Sequence, residues 1–271
     1  MTVKRFILAL LGALLLVSFH EAENASANSL PEKSNVYLKA GKFYVLYTKP
    51  ASPFVDENHR LLVPLRTFED LFGGQVTYAA ATKTAELTWL NHKFMFEIGS
   101  TNAQMDGHSI KMDTQPILKN GAMFLPIRIF LDQAGLKSHW DLQENVLIIE
   151  DEKILTGEPF QSFDGNDLFD KNKDGAFRVN NYAITNNSNN TFKLTISATN
   201  ITGKTIPNGK ADIHPLVSFG AEYGGFATDS FSRPVYPPIK EIGKQETITV
   251  SQSFPQKEVD YIITVARVFA D

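Results

Sequence analysis

The residues best suited to binding a metal form one acidic segment, Asp170–Gly175. Its sequence, Asp-Lys-Asn-Lys-Asp-Gly, matches the first half of a calcium-binding loop, in which alternate side chains supply oxygen ligands. Calcium is a hard ion that takes oxygen ligands, and Asp170, Asn172 and Asp174 would bind it through their side chains. Ala176 would add its carbonyl oxygen, whereas the bidentate glutamate expected at the twelfth position is absent. The pattern predicts a calcium site; the alternative is a polar hairpin turn that uses Asn, Asp and Gly for their backbone freedom.

A second candidate site is the long irregular segment 220–240, which is rich in glycine, serine and proline. Long loops without elements of their own are uncommon unless they are functional, and aromatic side chains often dominate binding energies. The segment therefore predicts a contact surface for a glycan or a protein. The side chains that would form it are Tyr223, Phe226, Phe231, Arg233 and Tyr236. The alternative is that these aromatics cover the edge of a β-sandwich and complete its core.

The common catalytic motifs are absent from the sequence. It contains no Gly-x-Ser-x-Gly, no His-Glu-x-x-His and no cysteine, so it lacks the usual serine, zinc and thiol hydrolase signatures. We therefore expect that the protein is not an enzyme. Acidic residues are plentiful, however, so a pair of carboxylates acting in hydrolysis remains an open alternative.

A duplicated pentapeptide indicates the elements that must position any site. Leu62–Arg66 reads Leu-Val-Pro-Leu-Arg and returns as Phe124–Arg128, Phe-Leu-Pro-Ile-Arg. In each copy we expect a strand that ends at the proline, a short helix that begins at the arginine, a left-handed glycine that stops the helix, and then a hairpin. The residues with these structural roles are Pro64, Arg66 and Gly73 in the first copy and Pro126, Arg128 and Gly135 in the second. Each arginine is expected to pair with a carboxylate or with backbone carbonyls and to have no catalytic role.

The N-terminus predicts export. A basic start precedes an apolar run from Phe6 to Phe19, and small residues at 25–27 fit a cleavage site. We therefore expect a signal peptide over residues 1–27 and a flexible leader over 28–35, with an uncleaved membrane anchor as the alternative. Because the chain has no cysteine, it folds without disulfides, which is typical of a bacterial secreted or wall-associated protein.

Charge limits the class of partner. The chain carries 26 Lys+Arg against 30 Asp+Glu, a net charge of −4 at pH 7. There is no basic run, so nucleic acid is not an expected partner, because phosphate binding requires clustered positive charge. We expect instead a cell-envelope component or a secreted protein as the partner, and no membrane association after signal cleavage.

The two copies and the segment between them resemble the copper amine oxidase N-terminal-like (stalk) domain, which occurs in secreted proteins of Gram-positive bacteria. The linking match consists of Ile98-Gly99-Ser100, Ala103, Asp106-Gly107, Ile110, Met112-Asp113 and Pro116. Two positions depart from the pattern: Ala79 stands where the second copy has Asp141, and Glu144 stands where the first copy has Thr82. The resemblance implies an appendage of amine oxidases rather than their catalytic part.

Copper is not an expected cofactor. The resemblance implies that an amine oxidase would need a cofactor-forming tyrosine in Asn-Tyr-Asp/Glu and a His-x-His pair for copper. The chain has Asn181-Tyr182-Ala183 and no His-x-His. Its histidines beyond residue 27 are His59, His92, His108, His139 and His214. Their wide separation in the sequence argues against a metal site, which needs clustered ligands.

These patterns predict two domains. Residues 36–152 are expected to form an α+β stalk-like domain of two strand–helix–hairpin repeats, at about 36–98 and 99–152, with an antiparallel sheet packed on short helices. Residues 156–271 are expected to form an all-β sandwich-like domain, because apolar and polar residues alternate in runs such as 192–199 and turn signals separate these runs.

The leading functional hypothesis is a non-catalytic secreted or cell-envelope protein. Its stalk-like domain would act as a spacer or interaction module, and its C-terminal β-domain would bind a protein or a wall glycan. One alternative is a secreted inhibitor or accessory factor of a hydrolase. The other is a carboxylate-dependent wall hydrolase with its site in the C-terminal domain.

Overall fold

The protein is built mainly from β-strands, with three short α-helices in the part that the structure describes. The computed structural model describes residues 32–167, 172–219, 226–227, 237–255 and 257–270. The predicted signal peptide lies outside these ranges, so it stays a prediction. Within them, no helix has the length and apolar character needed to cross a membrane.

The elements are short and follow one another closely along the chain. The strands up to residue 149 are β1 (Ser34–Asn35), β2 (Leu38–Ala40), β3 (Phe43–Thr48), β4 (Phe54–Val55), β5 (Leu61–Pro64), β6 (Gln75–Ala79), β7 (Thr84–Trp89), β8 (His92–Glu97), β9 (Asn102–Met105), β10 (His108–Lys111), β11 (Ile117–Lys119), β12 (Ala122–Pro126), β13 (Ser138–Asp141) and β14 (Val146–Ile149). The later strands are β15 (Asn172–Asp174), β16 (Phe177–Asn186), β17 (Thr191–Asn200), β18 (Ala211–Ser218), β19 (Phe226–Ala227), β20 (Thr247–Pro255) and β21 (Tyr261–Phe269). The helices are α1 (Arg66–Asp70), α2 (Ile127–Gln133) and α3 (Glu158–Asn166), with a 3-10 turn at Glu152–Ile154.

The two copies of the repeat meet at their pentapeptides. Strands β5 and β12 pair antiparallel, with Val63 opposite Leu125 and Leu62 opposite Pro126. Val63 and Leu125 occupy equivalent positions in the two copies. The pairing is therefore centred on an approximate two-fold axis that relates one copy to the other.

The corner between strand and helix forms in both copies. Pro64 and Pro126 are the last residues of β5 and β12, because proline has no amide proton to continue a ladder. Gly73 and Gly135 follow the two helices with φ of 70° and 66°. These are the left-handed conformations that end a helix at little cost only when the residue lacks a Cβ.

The hairpins that follow the helices join different sheets, which differs from the single antiparallel sheet expected for this region. The first hairpin, β6–β7, continues through β8, β9 and β10 as a five-stranded sheet. The second, β13–β14, forms the edge of an eight-stranded sheet in which β14 pairs parallel with β2. Strands β5 and β12 form a third sheet with β4 and β11. The reason is geometric: β5 and β12 run in opposite directions, so the hairpins that follow them leave from opposite ends of the pair.

One sheet crosses the predicted boundary between the domains. Strand β3 pairs antiparallel with β21, with Tyr44 opposite Thr264. The eight-stranded sheet runs β13-β14-β2-β3-β21-β18-β19, and β15 also pairs with β21. Strand β3 is buried on both faces, which explains why its sequence is apolar without alternation. Strands from 36–152 and from 156–271 therefore share one sheet.

The eight-stranded sheet has a hydrophobic core on each face. On one face Phe43, Val45 and Ile263 pack with the helices and the five-stranded sheet. On the other face Tyr44 and Leu46 pack against the four-stranded sheet β1-β16-β17-β20. The alternating apolar residues predicted at 192–199 lie in this second core, on β17. The C-terminal strands thus form a sandwich-like pair of layers, and one layer includes strands from the N-terminal part.

Helix α3 closes the first core against α1. Phe160 on α3 contacts Phe43, with ring centroids 4.8 Å apart, and stacks on Phe72 at 6.3 Å. Gly157, the residue before α3, lies directly against the carbonyl of Leu71, which any Cβ at that position would overlap. The close approach of the two helices therefore requires glycine there.

The end of the predicted leader is part of the sandwich. Ser34 and Asn35 form β1 and lie opposite Tyr182 and Asn181 of β16. The structure therefore differs from the expectation of a flexible leader at these two residues. A two-residue strand is too short to show an alternating pattern in the sequence.

Candidate functional site

The predicted calcium ligands lie in and just after β15. Asn172 and Asp174 are the first and last residues of this strand, which pairs with β21. The carbonyl oxygen of Ala176 accepts a hydrogen bond from the amide of Ile201 at 3.0 Å. Asp170 lies outside the described residues. The calcium site therefore stays a prediction.

The predicted contact loop falls largely outside the described residues, as Tyr223, Phe231, Arg233 and Tyr236 do. Of this set, only the backbone of Phe226 is described, in β19, opposite Ser218 of β18. Strand β19 ends the eight-stranded sheet on the side opposite β13. The role of the segment 220–240 in binding stays a prediction.

The two corner arginines differ in their surroundings although their local sequences match. Each lies at the start of a short helix and faces the aspartate four residues later, the spacing that brings side chains together on a helix. Nη2 of Arg66 lies 3.4 Å from Oδ1 of Asp70, and Nε of Arg128 lies 3.6 Å from Oδ2 of Asp132. The side chain of Asp70 is 13% exposed, whereas those of Arg128 and Asp132 are 67% and 54% exposed. Of these carboxylates only Asp70 is shielded from solvent, whereas the side chain of its partner Arg66 is itself 40% exposed.

Asp70 lies beside a second carboxylate, which belongs to the C-terminal part of the chain. The same Nη2 of Arg66 lies 3.9 Å from Oδ1 of Asp260, so one guanidinium faces two carboxylates. Oδ2 of Asp70 is buried without a hydrogen-bond partner. Burial raises the pKa of Asp70 to about 6, and the negative charges of Asp260 and Glu69 add to this effect while Arg66 opposes it. The corner therefore holds a carboxyl group that titrates near neutral pH, a property that acid–base catalysis uses.

The second corner opens into a concave pocket. The pocket is open to solvent, and the ≈ 450 Å³ of space in it includes part of the surrounding solvent. Its lining consists of the buried residues Leu61, Pro126 and Leu147 together with His59, Arg60, Asp113, Arg128 and Trp140. The strand-to-helix turn of the second copy supplies Pro126 and Arg128 to this lining. The pocket therefore combines an apolar part with two guanidinium groups.

A tight turn before β5 positions two of the polar residues. Oδ1 of Asp56 accepts hydrogen bonds from the amides of Asn58 at 2.9 Å and Arg60 at 2.8 Å. His59 takes a φ of 58° inside this turn. The guanidinium of Arg60 forms an ion pair with Asp113, and both side chains remain more than 40% exposed. The turn thus directs Arg60 to the pocket while leaving it accessible.

Trp140 forms the aromatic wall of the pocket. It lies on β13 opposite Leu147 of β14, and it is half-buried because it packs against the first core. The other tryptophan, Trp89, is buried and donates a hydrogen bond from Nε1 to the carbonyl of Phe72 at 3.0 Å. Trp140 is therefore the tryptophan that a ligand in the pocket would contact.

Tyr182 and two of the histidines contact neighbouring polar side chains. Tyr182 is fully buried, and its hydroxyl lies 2.6 Å from Oγ of Ser52. Burial raises the pKa of this hydroxyl well above its usual range. His92 and His139 each contact a neighbouring carboxylate at 2.8 Å. Among the residues that the structure describes, no three His, Asp or Glu side chains are grouped in a way that could hold a metal ion.

The most buried charges tie the C-terminal strands to α3. Arg267 on β21 is fully buried and donates from Nε to Asp212 on β18 at 3.0 Å and from Nη2 to Asp167 at 2.9 Å. The ring of Phe163 covers the guanidinium, with Cζ 5.8 Å from its centroid. Arginine does not release its proton in proteins, so this network has a structural role.

The sequence identifies several residues of the two corners but does not show which distant residues they contact in the fold. The repeat identifies Arg128 and makes Trp140 equivalent to Tyr78, and Asp113 belongs to the linking match. Nothing in the spacing brings Arg60 to Asp113, because that contact forms only when the third sheet folds. Asp260 likewise reaches the first corner only through strand pairing across the chain.

Comparison with known families identifies the N-terminal part. Residues 35–149 match the model of the family described as copper amine oxidase N-terminal domain. The resemblance predicted from the repeats is thereby confirmed for this segment, which contains the whole lining of the pocket. Comparisons of the chain with curated proteins and with solved structures gave no match.

Proposed function

We propose that this protein is a non-catalytic secreted or cell-envelope protein that binds a wall glycan or another exported protein. Residues 36–152 act as a stalk-like spacer and interaction module, an α+β domain built from two strand–helix–hairpin repeats. The C-terminal strands and the segment 220–240 provide a further contact surface. Any calcium at 170–176 would stabilise the junction between the two parts without taking part in chemistry.

The observation that carries this proposal is the extent of the family match. The match covers residues 35–149 and concerns the N-terminal domain of copper amine oxidases, which is not their catalytic domain. The position of Tyr182 supports the same conclusion. This tyrosine follows an asparagine, as a cofactor-forming tyrosine would, but it is fully buried and bonded to Ser52. A side chain in that position packs a core and has no access to substrate.

A second candidate function is a carboxylate-dependent hydrolase, which one observation favours. Asp70 and Asp260 lie 3.4 and 3.9 Å from the same nitrogen of Arg66. The pKa of Asp70 is raised to about 6, in the range where a carboxylic acid serves as a general acid. This pair lies where the matched segment meets the C-terminal strands, whereas the sequence-based alternative assumed a site within the C-terminal domain.

Binding to purified cell walls tests the proposal. The mature chain, residues 28–271, is incubated with walls from Gram-positive cells, and its depletion from solution is measured together with any release of soluble sugar or peptide. We expect saturable retention without release. If retention does not saturate or does not occur, the wall-binding function is wrong.

The same assay distinguishes the hydrolase. Release of wall fragments that is lost in both Asp70→Asn and Asp260→Asn, with folding intact, would favour hydrolysis. Asp132→Asn provides the matched control, because Asp132 has the same position in the second copy and is exposed. Release that persists in all three variants would indicate a contaminating enzyme.

A further inference from the structure

The pocket at the second corner combines paired cationic groups with an aromatic wall. We propose that this pocket binds an acidic saccharide, a sugar that carries a carboxylate or a phosphate group, between Arg60, Arg128 and Trp140. The inference rests on the proposed function, since it names the ligand that a wall-binding protein would take at this site. It places binding in the family-matched segment, in addition to the segment 220–240.

The charges lining the pocket favour an anion. The lining contains the guanidinium groups of Arg60 and Arg128 and one carboxylate, Asp113, which already pairs with Arg60. Arg128 is 67% exposed, and its contact with Asp132 at 3.6 Å is longer than a hydrogen bond. Such an exposed pair contributes about 0–1 kcal/mol, so an incoming anion can replace it at small cost. The planar guanidinium offers two parallel donors that match the two oxygens of a carboxylate or phosphate.

The first corner shows which group a corner arginine binds. There Arg66, the equivalent of Arg128, contacts Asp260, a carboxylate supplied by a distant part of the chain. At the second corner Arg128 belongs to the lining of the open pocket, and its contact with Asp132 is exposed. A ligand carboxylate or phosphate in the pocket would therefore give Arg128 a second anionic partner, as Asp260 does for Arg66 at the first corner.

Trp140 adds the preference for a sugar. Its indole is held by packing against the first core, so its orientation is fixed before a ligand binds. A half-buried tryptophan offers a flat apolar surface on which the C–H face of a pyranose ring can pack, while the arginines bind the charged substituent. The pocket is open to solvent, which allows a polymer chain to continue beyond the unit bound between the arginines and the tryptophan.

Calorimetric titration of the mature chain with defined oligomers tests the inference. The probes are tetragalacturonate for the carboxylate, a short glycerol-phosphate oligomer for the phosphate, and cellotetraose as the neutral sugar. We expect at least one acidic oligomer to bind with Kd of about 10 μM to 1 mM, and cellotetraose to bind at least about tenfold more weakly. The stronger of the two acidic oligomers identifies the charged group.

Variants of the lining residues locate the binding site. Arg128→Gln, Arg60→Gln and Trp140→Ala should each weaken binding of the acidic oligomer by about tenfold or more, a loss of at least about 1.4 kcal/mol. Tyr78→Ala is the matched aromatic control, because Tyr78 holds the equivalent position in the first copy and is 45% exposed. Lys111→Ala is the control for loss of one exposed positive charge. Both controls should bind as the wild type does, and thermal melts should show that all variants are folded.

Three results would overturn the inference. They are equal affinity for cellotetraose, unchanged affinity in Arg128→Gln, and no binding of either acidic oligomer at about 5 mM. Wall retention and oligomer affinity that are both unchanged in Arg128→Gln and in Trp140→Ala would contradict the inference while leaving the proposed function intact. Binding of an acidic oligomer by a wild-type chain that is not retained on walls would support the inference and contradict the proposed function.

Discussion

Replacing Asp70 with asparagine should stabilise the protein above pH 6 and have little effect near pH 4. Burial raises the pKa of Asp70 from 3.8 to about 6. Between pH 3.8 and pH 6, Asp70 is protonated in the folded protein and ionised in the unfolded chain. Protonated Asp70 therefore contributes stability that is fully present below pH 3.8 and is lost as the pH rises through 6.

The size of the effect follows from this difference in pKa. A difference of one unit in pKa corresponds to about 1.4 kcal/mol. A pKa of about 6 in place of 3.8 therefore means that ionised Asp70 destabilises the folded protein by about 3 kcal/mol. This figure already includes the attraction of Arg66, and the side chain is only 13% exposed, so solvent screens little of it. Asparagine cannot ionise, and we expect Asp70→Asn to be more stable than the wild type by about 1–3 kcal/mol at pH 7.5.

Urea unfolding followed by circular dichroism at pH 4, 5, 6, 7 and 8 measures this difference. Other carboxyl groups titrate in the same range, but the variant shares them with the wild type, so the difference between the two isolates Asp70. Asp132→Asn should show no such pH dependence, because its carboxyl group is 54% exposed. An Asp70→Asn protein that is less stable than the wild type at pH 7.5 would refute the reasoning, since it would show that the ion pair with Arg66 outweighs the cost of burial.

Three further predictions concern packing, buried charge and calcium. Gly157→Ala should destabilise the protein by more than about 2 kcal/mol in the same unfolding assay, because the added Cβ would overlap the carbonyl of Leu71. Asp212→Asn should lower the free energy of unfolding by about 3 kcal/mol, because it removes one of the carboxylates that pair with the fully buried Arg267. A decrease of less than about 1 kcal/mol would contradict this structural role. If residues 170–176 bind calcium, about 1 mM calcium should raise the melting temperature of the mature chain, and EDTA should reverse this increase. An unchanged melting temperature would contradict calcium binding.

The strand-to-helix corners could be predicted because their signals are local. A proline ends each strand, and a glycine with positive φ follows each helix, at Gly73 and Gly135. The Asp106-Gly107 hairpin is local in the same way: both residues take positive φ, of 51° and 81°, and Met105 pairs with His108. Short-range backbone preferences of this kind depend on the residues themselves and little on the rest of the fold.

The arrangement of the sheets could not be predicted from the sequence. The run Phe43–Thr48 is apolar throughout, which indicates burial on both faces but does not identify the neighbouring strand. Its partner, Tyr261–Phe269, lies more than 200 residues away. The alternation within the partner strand suggests one buried face, yet residues of both its faces are buried, because the two hydrophobic cores lie on opposite sides of the sheet. The candidate pocket was missed for the same reason, since its residues come from separate strands and turns.

The two corners have different surroundings because the C-terminal strand β21 joins the sheet near only one of them. Strand β21 pairs with β3, and its first residue, Tyr261, lies opposite Thr48. The hydroxyl of Thr48 lies 2.8 Å from that of Thr67 on α1, so the start of β21 is brought to the first corner, where Asp260 meets Arg66. The second corner lies beside β13, which is the edge of the same sheet and receives no further strand among the residues that the structure describes. Duplication thus gives two arginines in equivalent positions, and the asymmetric addition of β21 brings a second carboxylate to Arg66, whereas Arg128 lines the open pocket.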